Sequence, residues 1–280
     1  MRPRHLCAVL LASACTASNG PTTTAARPAT PQAEAPAVPS APAAAESPPP
    51  AALGAPYERP GDPRQQIDKL TVWGWSRDGR YFAFETFDAG PGAATCEGAA
   101  RLFVVDTDSN ILVEGGYVEV RHKSPDSQPC DPPDLRAALA PRRTVLLEKY
   151  AIEPGYLLPP AEPQEAAAPR PGVKAYAILL PSGHSATATL EVLGGNRERA
   201  HEGRGAAFKL DLALPNHATV QLEPGVRLRP YIWNYDLDRG LVFTSPDGTH
   251  MAIMTATTEI SFEGDRTAWI ASTFRLPAGW

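Results

Sequence analysis

"WGWSRDGRYFAFET", Trp73–Thr86, decides the fold, because the same beat returns as "FTSPDGTHMAIMT" at Phe243–Thr255. In both stretches an apolar strand ends in Ser, x-Asp-Gly makes a tight turn, and a second apolar strand begins. Gly79 and Gly248 supply the positive φ that such a turn requires. Asp78 and Asp247 suit the preceding position, because a short carboxylate bonds nearby backbone N–H groups. Alignment pairs Phe82 with Met251 and Phe84 with Ile253 on one face, and Ala83 with Ala252 on the other. An Asp occupied by its own turn is not free for catalysis, so the repeat reads as architecture.

Outward from these turns, short runs of Trp, Tyr, Phe, Val and Ile alternate with Gly, Pro, Asn and Asp from about Arg64 onward. This is the pattern of strands and turns. The strand candidates are "KLTVWGW", "RYFAFETF", "RLFVVDT", "NILVEGGYVEV", "KAYAILL", "ATATLEVLG", "AFKLDLAL", "ATVQLEPG", "GLVFTS", "HMAIMTATTEI" and "TAWIASTFRL". One segment, Pro133–Ile152, instead spaces Leu135, Leu139, Leu146, Leu147 and Tyr150 as a helix does, with Asp134 as its cap. Pro141 is expected to end or kink it. The expected fold is mainly β: an antiparallel β-rich single domain over 64–280, with propeller-like hairpins and one short interrupted helix.

The chain before it has a different character. "MRPRHLCAVLLASAC" has Arg2 and Arg4, an apolar run from Leu6 to Leu11, and small residues up to Cys15. This reads as an export signal over 1–14, too short to span a bilayer. Its Leu-Ala-Ser-Ala-Cys ending resembles a bacterial lipobox, which implies cleavage before Cys15 and lipidation there. Ala12 departs from the usual Leu, and an ordinary secretory signal is the alternative. Thr16, rather than Asp, after the cysteine favours the outer membrane by the same resemblance. Residues 15–63 are mostly Ala, Pro, Thr, Ser and Glu until the composition shifts. They read as a disordered tether that cannot offset its ordering entropy by burial.

Removal of the signal takes Cys7 with it and leaves Cys96 and Cys130 as thiols of the body. In an oxidising compartment one pair is most simply a disulfide. There is no C-x-x-C, and His122 alone does not complete a zinc set, so no metal is assigned. A net charge of −5 without a basic stripe argues against a nucleic-acid partner.

A search for chemistry finds little. "DTDSNILVEGGY", Asp106–Tyr117, begins like a calcium loop, but Ile111 stands where Gly is needed and Tyr117 where a bidentate Glu belongs. His201-Glu202 lacks the second His of a zinc protease, and Ser185 has no G-x-S-x-G elbow. No phosphate-cradling loop is visible, and no catalytic residue or cofactor is assigned. His184, His201, His217 and His250 would make a hydrolase only if distant residues assembled around one of them. Trp73 and Trp75, by alternation, share one face, as do Tyr231, Trp233 and Tyr235. Exposed, they would form a platform for an envelope protein or a glycan; buried, they are core.

The stretch from Trp73 to Gly116 resembles one four-stranded blade of the β-propellers in periplasmic TolB-like proteins. "VWGWSRDGRYFAFETFD", "LLEKYAIEPGYLL" and "SFEGDRTAWIASTFRL", taken in order, resemble a family of predicted secreted proteins grouped as a domain of unknown function. The resemblance implies an exported protein and hands over no catalytic residues. The expected function is a lipid-anchored cell-envelope module, held at the membrane by its N-terminal lipid, that binds or assembles. A secreted hydrolase is the alternative.

Overall fold

The computed structural model describes residues 51–88, 97–123, 133–153, 157–180, 183–261 and 264–278. All of these belong to one unit, Ser47–Trp280. They form three antiparallel sheets in chain order. The first is the meander β1 (Tyr57–Arg59), β2 (Lys69–Ser76), β3 (Tyr81–Phe87), β4 (Glu97–Asp106) and β5 (Ile111–Lys123). Helix α1 (Leu135–Lys149) follows, and β6 (Ile152–Glu153) returns to pair with β2. The second sheet holds β7 (Gln164–Ala166), β8 (Val173–Leu179), β9 (Ser185–Leu193), β10 (Ala207–Ala213) and β11 (Val220–Pro224), with α2 (Arg197–His201) between β9 and β10. The third is β12 (Ile232–Thr244), β13 (His250–Ser261) and β14 (Gly264–Arg275).

The third sheet lies between the other two. Ala252, Met254 and Trp269 join Leu70, Val72, Trp75, Phe82 and Phe84 of the first sheet in one cluster. On the opposite face Met251, Ile253 and Phe274 join Tyr176, Ile178, Leu190, Phe208 and Leu210 of the second. Strand β13 is therefore buried without interruption from His250 to Thr257. Covered on both faces, it has no need of polar alternation. The hairpins at Asp78 and Asp247 occupy equivalent places: Phe82 and Phe84 look toward the third sheet, and Met251 and Ile253 look from the third toward the second. Sheets of six, five and three strands, rather than equal four-stranded blades, carry this repeat.

Helix α1 covers the outer face of the first sheet. Asp134 caps it, accepting from the N–H groups of Arg136 and Ala137. Leu135, Leu139 and Leu146 pack on Ala83, Ala100, Leu102 and Val104. The helix runs through Pro141 and is not interrupted there, contrary to the expectation. Proline removes the N–H that would bond the Ala137 carbonyl. Ala137 is exposed, so water can take that carbonyl, and buried leucines hold the helix on both sides of the break. Beneath α1, the buried Glu85 carboxylate is gripped by Arg136 Nε and Arg143 Nη1, each at 2.9 Å.

Pairing begins upstream of the composition shift at Arg64. Tyr57 is already opposite Val72, and the Leu53 N–H donates to the Leu157 carbonyl at 2.7 Å. Strands β1, β6 and β7 are too short to carry a periodicity. Cys15, Cys96 and Cys130 lie outside the described residues.

Candidate functional site

Both ends of the junction between the first and third sheets gather polar side chains. At one end the two repeated turns meet. Ser76 Oγ donates to Asp78 Oδ1 at 2.6 Å and accepts from the Tyr81 N–H, while Asp78 also accepts from the Arg80 N–H. The second turn repeats this bond for bond. Ser245 Oγ donates to Asp247 Oδ1 at 2.5 Å and accepts from the His250 N–H, and Asp247 accepts from the Thr249 N–H. Gly79 and Gly248 have φ of 70° and 68°. The Ser76 hydroxyl holds the Asp78 carboxyl below the ordinary aspartate range. At Asp247 burial works upward, but the bonds from Ser245 and Thr249 outweigh it and the carboxyl is also held low.

His250, on the second turn, lies against the first: a Cβ on Gly79 would sit 2.6 Å from His250 Nδ1. Its Nε2 is 3.3 Å from Asp108 Oδ1 on the β4–β5 turn, and its Nδ1 is 2.7 Å from Thr249 Oγ1. Thr249 Oγ1 in turn donates to Asp247 Oδ2 at 2.7 Å. Thr249 has a single hydroxyl proton, so these three contacts are hydrogen bonds together only when both ring nitrogens carry one. The β4–β5 connection is a turn, with the Ser109 N–H bonded to Asp106 Oδ1. Thr107 Oγ1 ties it to the Gly79 and Arg80 carbonyls.

The cluster contains the residue types of an acyl-transfer triad without their freedom. His250 is buried and engaged at both nitrogens, and Ser245, fully buried, gives its hydroxyl to the turn. His184, His201 and His217 are exposed on other connections, so the four histidines do not share one buried site. Among the described residues no group of three or more His, Cys, Asp and Glu is placed to hold a metal ion.

At the opposite end the chemistry is ionic. Arg266 forks onto buried Asp68, Nε to Oδ1 at 2.9 Å and Nη2 to Oδ2 at 2.5 Å, and its Nη2 also reaches Asp88. Arg101 joins Asp88 at 2.7 Å to Glu119 at 3.0 Å. The Asp68 carbonyl accepts from Trp269 Nε1 at 3.0 Å. Burial pushes the Asp68 carboxyl up to about 7 against the pull of Arg266, and Asp88 and Glu259 push the same way. Burial opposes the Arg266 charge, but Asp68 and Asp88 outweigh it and hold the guanidinium above its ordinary value. No single signal announced this network, which sequence reading missed.

The five aromatic residues do not form one strip. A bulge between Val72 and Gly74 makes Trp73 an extra residue and reverses the phase of alternation. Trp75 therefore enters the core toward the third sheet, while Trp73 turns to the helix side beneath Arg143, whose guanidinium carbon lies 4.5 Å from the ring centroid. A second bulge between Ile232 and Asn234 separates the other three. Tyr235 is core, stacked on Phe208 at 4.4 Å and donating its hydroxyl to the Ala206 carbonyl. Trp233 is half-buried at the bulge, and Tyr231, at φ 66°, precedes the strand and is exposed.

No protein-family model matches the chain, and no curated protein matches it.

Proposed function

We propose that this is an exported, lipid-anchored module of the cell envelope, outer membrane rather than inner, that acts by binding or assembly and not by catalysis. The reading includes kinship with the secreted family of unknown function whose pattern it resembles. The observation that carries it is the lipobox-like ending at Cys15 behind a charged, apolar leader, followed by a proline- and alanine-rich tether. The burial of Ser245 and the engagement of its hydroxyl by Asp247, rather than by the His250 ring, support the non-catalytic part. A Cys96–Cys130 disulfide fits the oxidising compartment to which the leader directs the chain.

Metabolic labelling with an alkyne fatty acid tests the anchor. The wild-type chain should take up label and sediment with membranes. Cys15→Ser should do neither, and a wild-type chain that stays unlabelled would identify an ordinary secretory signal.

A further inference from the structure

Between β11 and β12 the chain reads Gly-Val-Arg-Leu-Arg-Pro-Tyr, Gly225–Tyr231. Val226 is 80% exposed, Leu228 66% and Tyr231 54%. Scattered apolar side chains on a surface need no explanation, but three within one short loop do. The base of this loop is held. The Arg229 N–H donates to the Ala206 carbonyl at 2.9 Å, and its guanidinium lies 3.6 Å from Glu223 and over the Phe208 ring. Gly205 passes so close that a Cβ there would lie 1.5 Å from the Arg229 carbonyl oxygen. The apolar tips are thus presented by a fixed stem.

The charge around them is positive. Arg227, between Val226 and Leu228, is exposed and has no ion pair among the described residues. Tyr231 has its ring 3.9 Å from the position of a Cβ on Gly203, which joins the loop to the connection after α2. On that connection Arg204 is 72% exposed, and its ion-pair partner among the described residues is the likewise exposed Glu202, at 3.7 Å. The whole chain carries a net charge of −5, so this cation excess is local.

We propose that the Gly225–Tyr231 loop docks the domain on an anionic phospholipid surface. This deepens the reading above and rests on its placing the chain at a membrane. Val226 and Leu228 enter the boundary between headgroups and acyl chains, Tyr231 sits at headgroup level, and Arg227 and Arg204 meet lipid phosphates. A stable protein interface needs about 800 Å² on each side, more than one such protrusion offers. Alternating cations and apolar tips fit a surface that is anionic outside and apolar beneath.

The test uses the chain from Thr16 onward, made without an acyl group, which keeps every described residue. It is sedimented with vesicles of phosphatidylethanolamine and phosphatidylglycerol, or of phosphatidylcholine alone. Binding should favour the anionic vesicles and fall with salt. Val226→Ser with Leu228→Ser should weaken it more than tenfold, and Arg227→Ala about fivefold. Leu179→Ser, at an equally exposed apolar position on the second sheet, should leave it unchanged, and urea midpoints should show all variants folded. Failure to bind either vesicle, or equal binding by the double variant, overturns the proposal. So does a dimer in solution that the double variant dissolves, since the loop would then pair with a second copy. A wild-type chain that takes up the fatty-acid label while its loop binds no vesicle defeats this proposal alone, whereas a wild-type chain that takes up no label while its loop binds vesicles defeats the anchor alone.

Discussion

The first and third sheets are joined at both ends, by opposite chemistries. At the turn end the bonds come from neutral hydroxyls and backbone N–H groups within a few residues of Asp78 and Asp247, and the His250 ring lies against Gly79 and reaches Asp108 on the β4–β5 turn. At the other end Arg266 reaches Asp68 and Asp88 from 198 and 178 positions away. A local turn can form before the sheets meet, but Arg266 reaches Asp68 and Asp88 only once they have. The first end therefore specifies each hairpin, and the second reports their docking. The cost of damage should differ accordingly, because a buried charge without its partner is far more expensive than a missing turn bond.

Arg266→Ala should have the largest effect, about 3–5 kcal/mol of stability by urea unfolding, because Asp68 and Asp88 lose a shared counter-ion. Adding Asp68→Asn should recover part of that loss. If Arg266→Ala costs no more than a turn substitution, the contrast between the ends fails.

Acid titration separates them by sign. An unfolded aspartate releases its proton near 3.9, whereas folded Asp68 holds one up to about 7. The folded state binds more protons between those values, so this group makes stability fall as pH rises from about 4 to about 7. Asp78 and Asp247 are held low, so they contribute stability that is present above the ordinary carboxylate range and lost as pH falls through their lowered values. Unfolding free energies across pH should show Asp68→Asn flattening the first slope and Asp247→Asn the acid limb. A single slope insensitive to both would merge the two ends.

Within the turn end, Gly248→Ala should cost about 1–2 kcal/mol from its left-handed φ alone, since nothing lies within 4 Å of the new methyl. Gly79→Ala should cost at least about 1 kcal/mol more, because its methyl meets His250. Equal urea midpoints for the two would show that the turns do not touch.

Much of the architecture was readable from local signals. Each Ser-x-Asp-Gly turn carries its own bonding partners, and most long strands announce themselves by composition. What failed was anything that depends on phase or distance. One inserted residue at Trp73 sends Trp73 and Trp75 to opposite faces, and no periodicity records a bulge in advance. Pro141 by its usual effect predicts a break, but Ala137 is exposed to water and flanking buried leucines let the helix continue. The Arg266 cluster was invisible because its members stand singly in the chain. Alternation places Tyr231 on a strand with Trp233, but it belongs to the loop before that strand, where it has a left-handed φ and is exposed to solvent.

The middle position of the third sheet has a consequence for biogenesis. Its strands, Ile232–Arg275, leave the ribosome after both sheets that flank it. Until they do, Phe82 and Phe84 of the first sheet and Ile178 and Phe208 of the second have no cover on their inner faces. Neither early sheet can finish its core during synthesis, so the chain stays incompletely folded until its last strands are made.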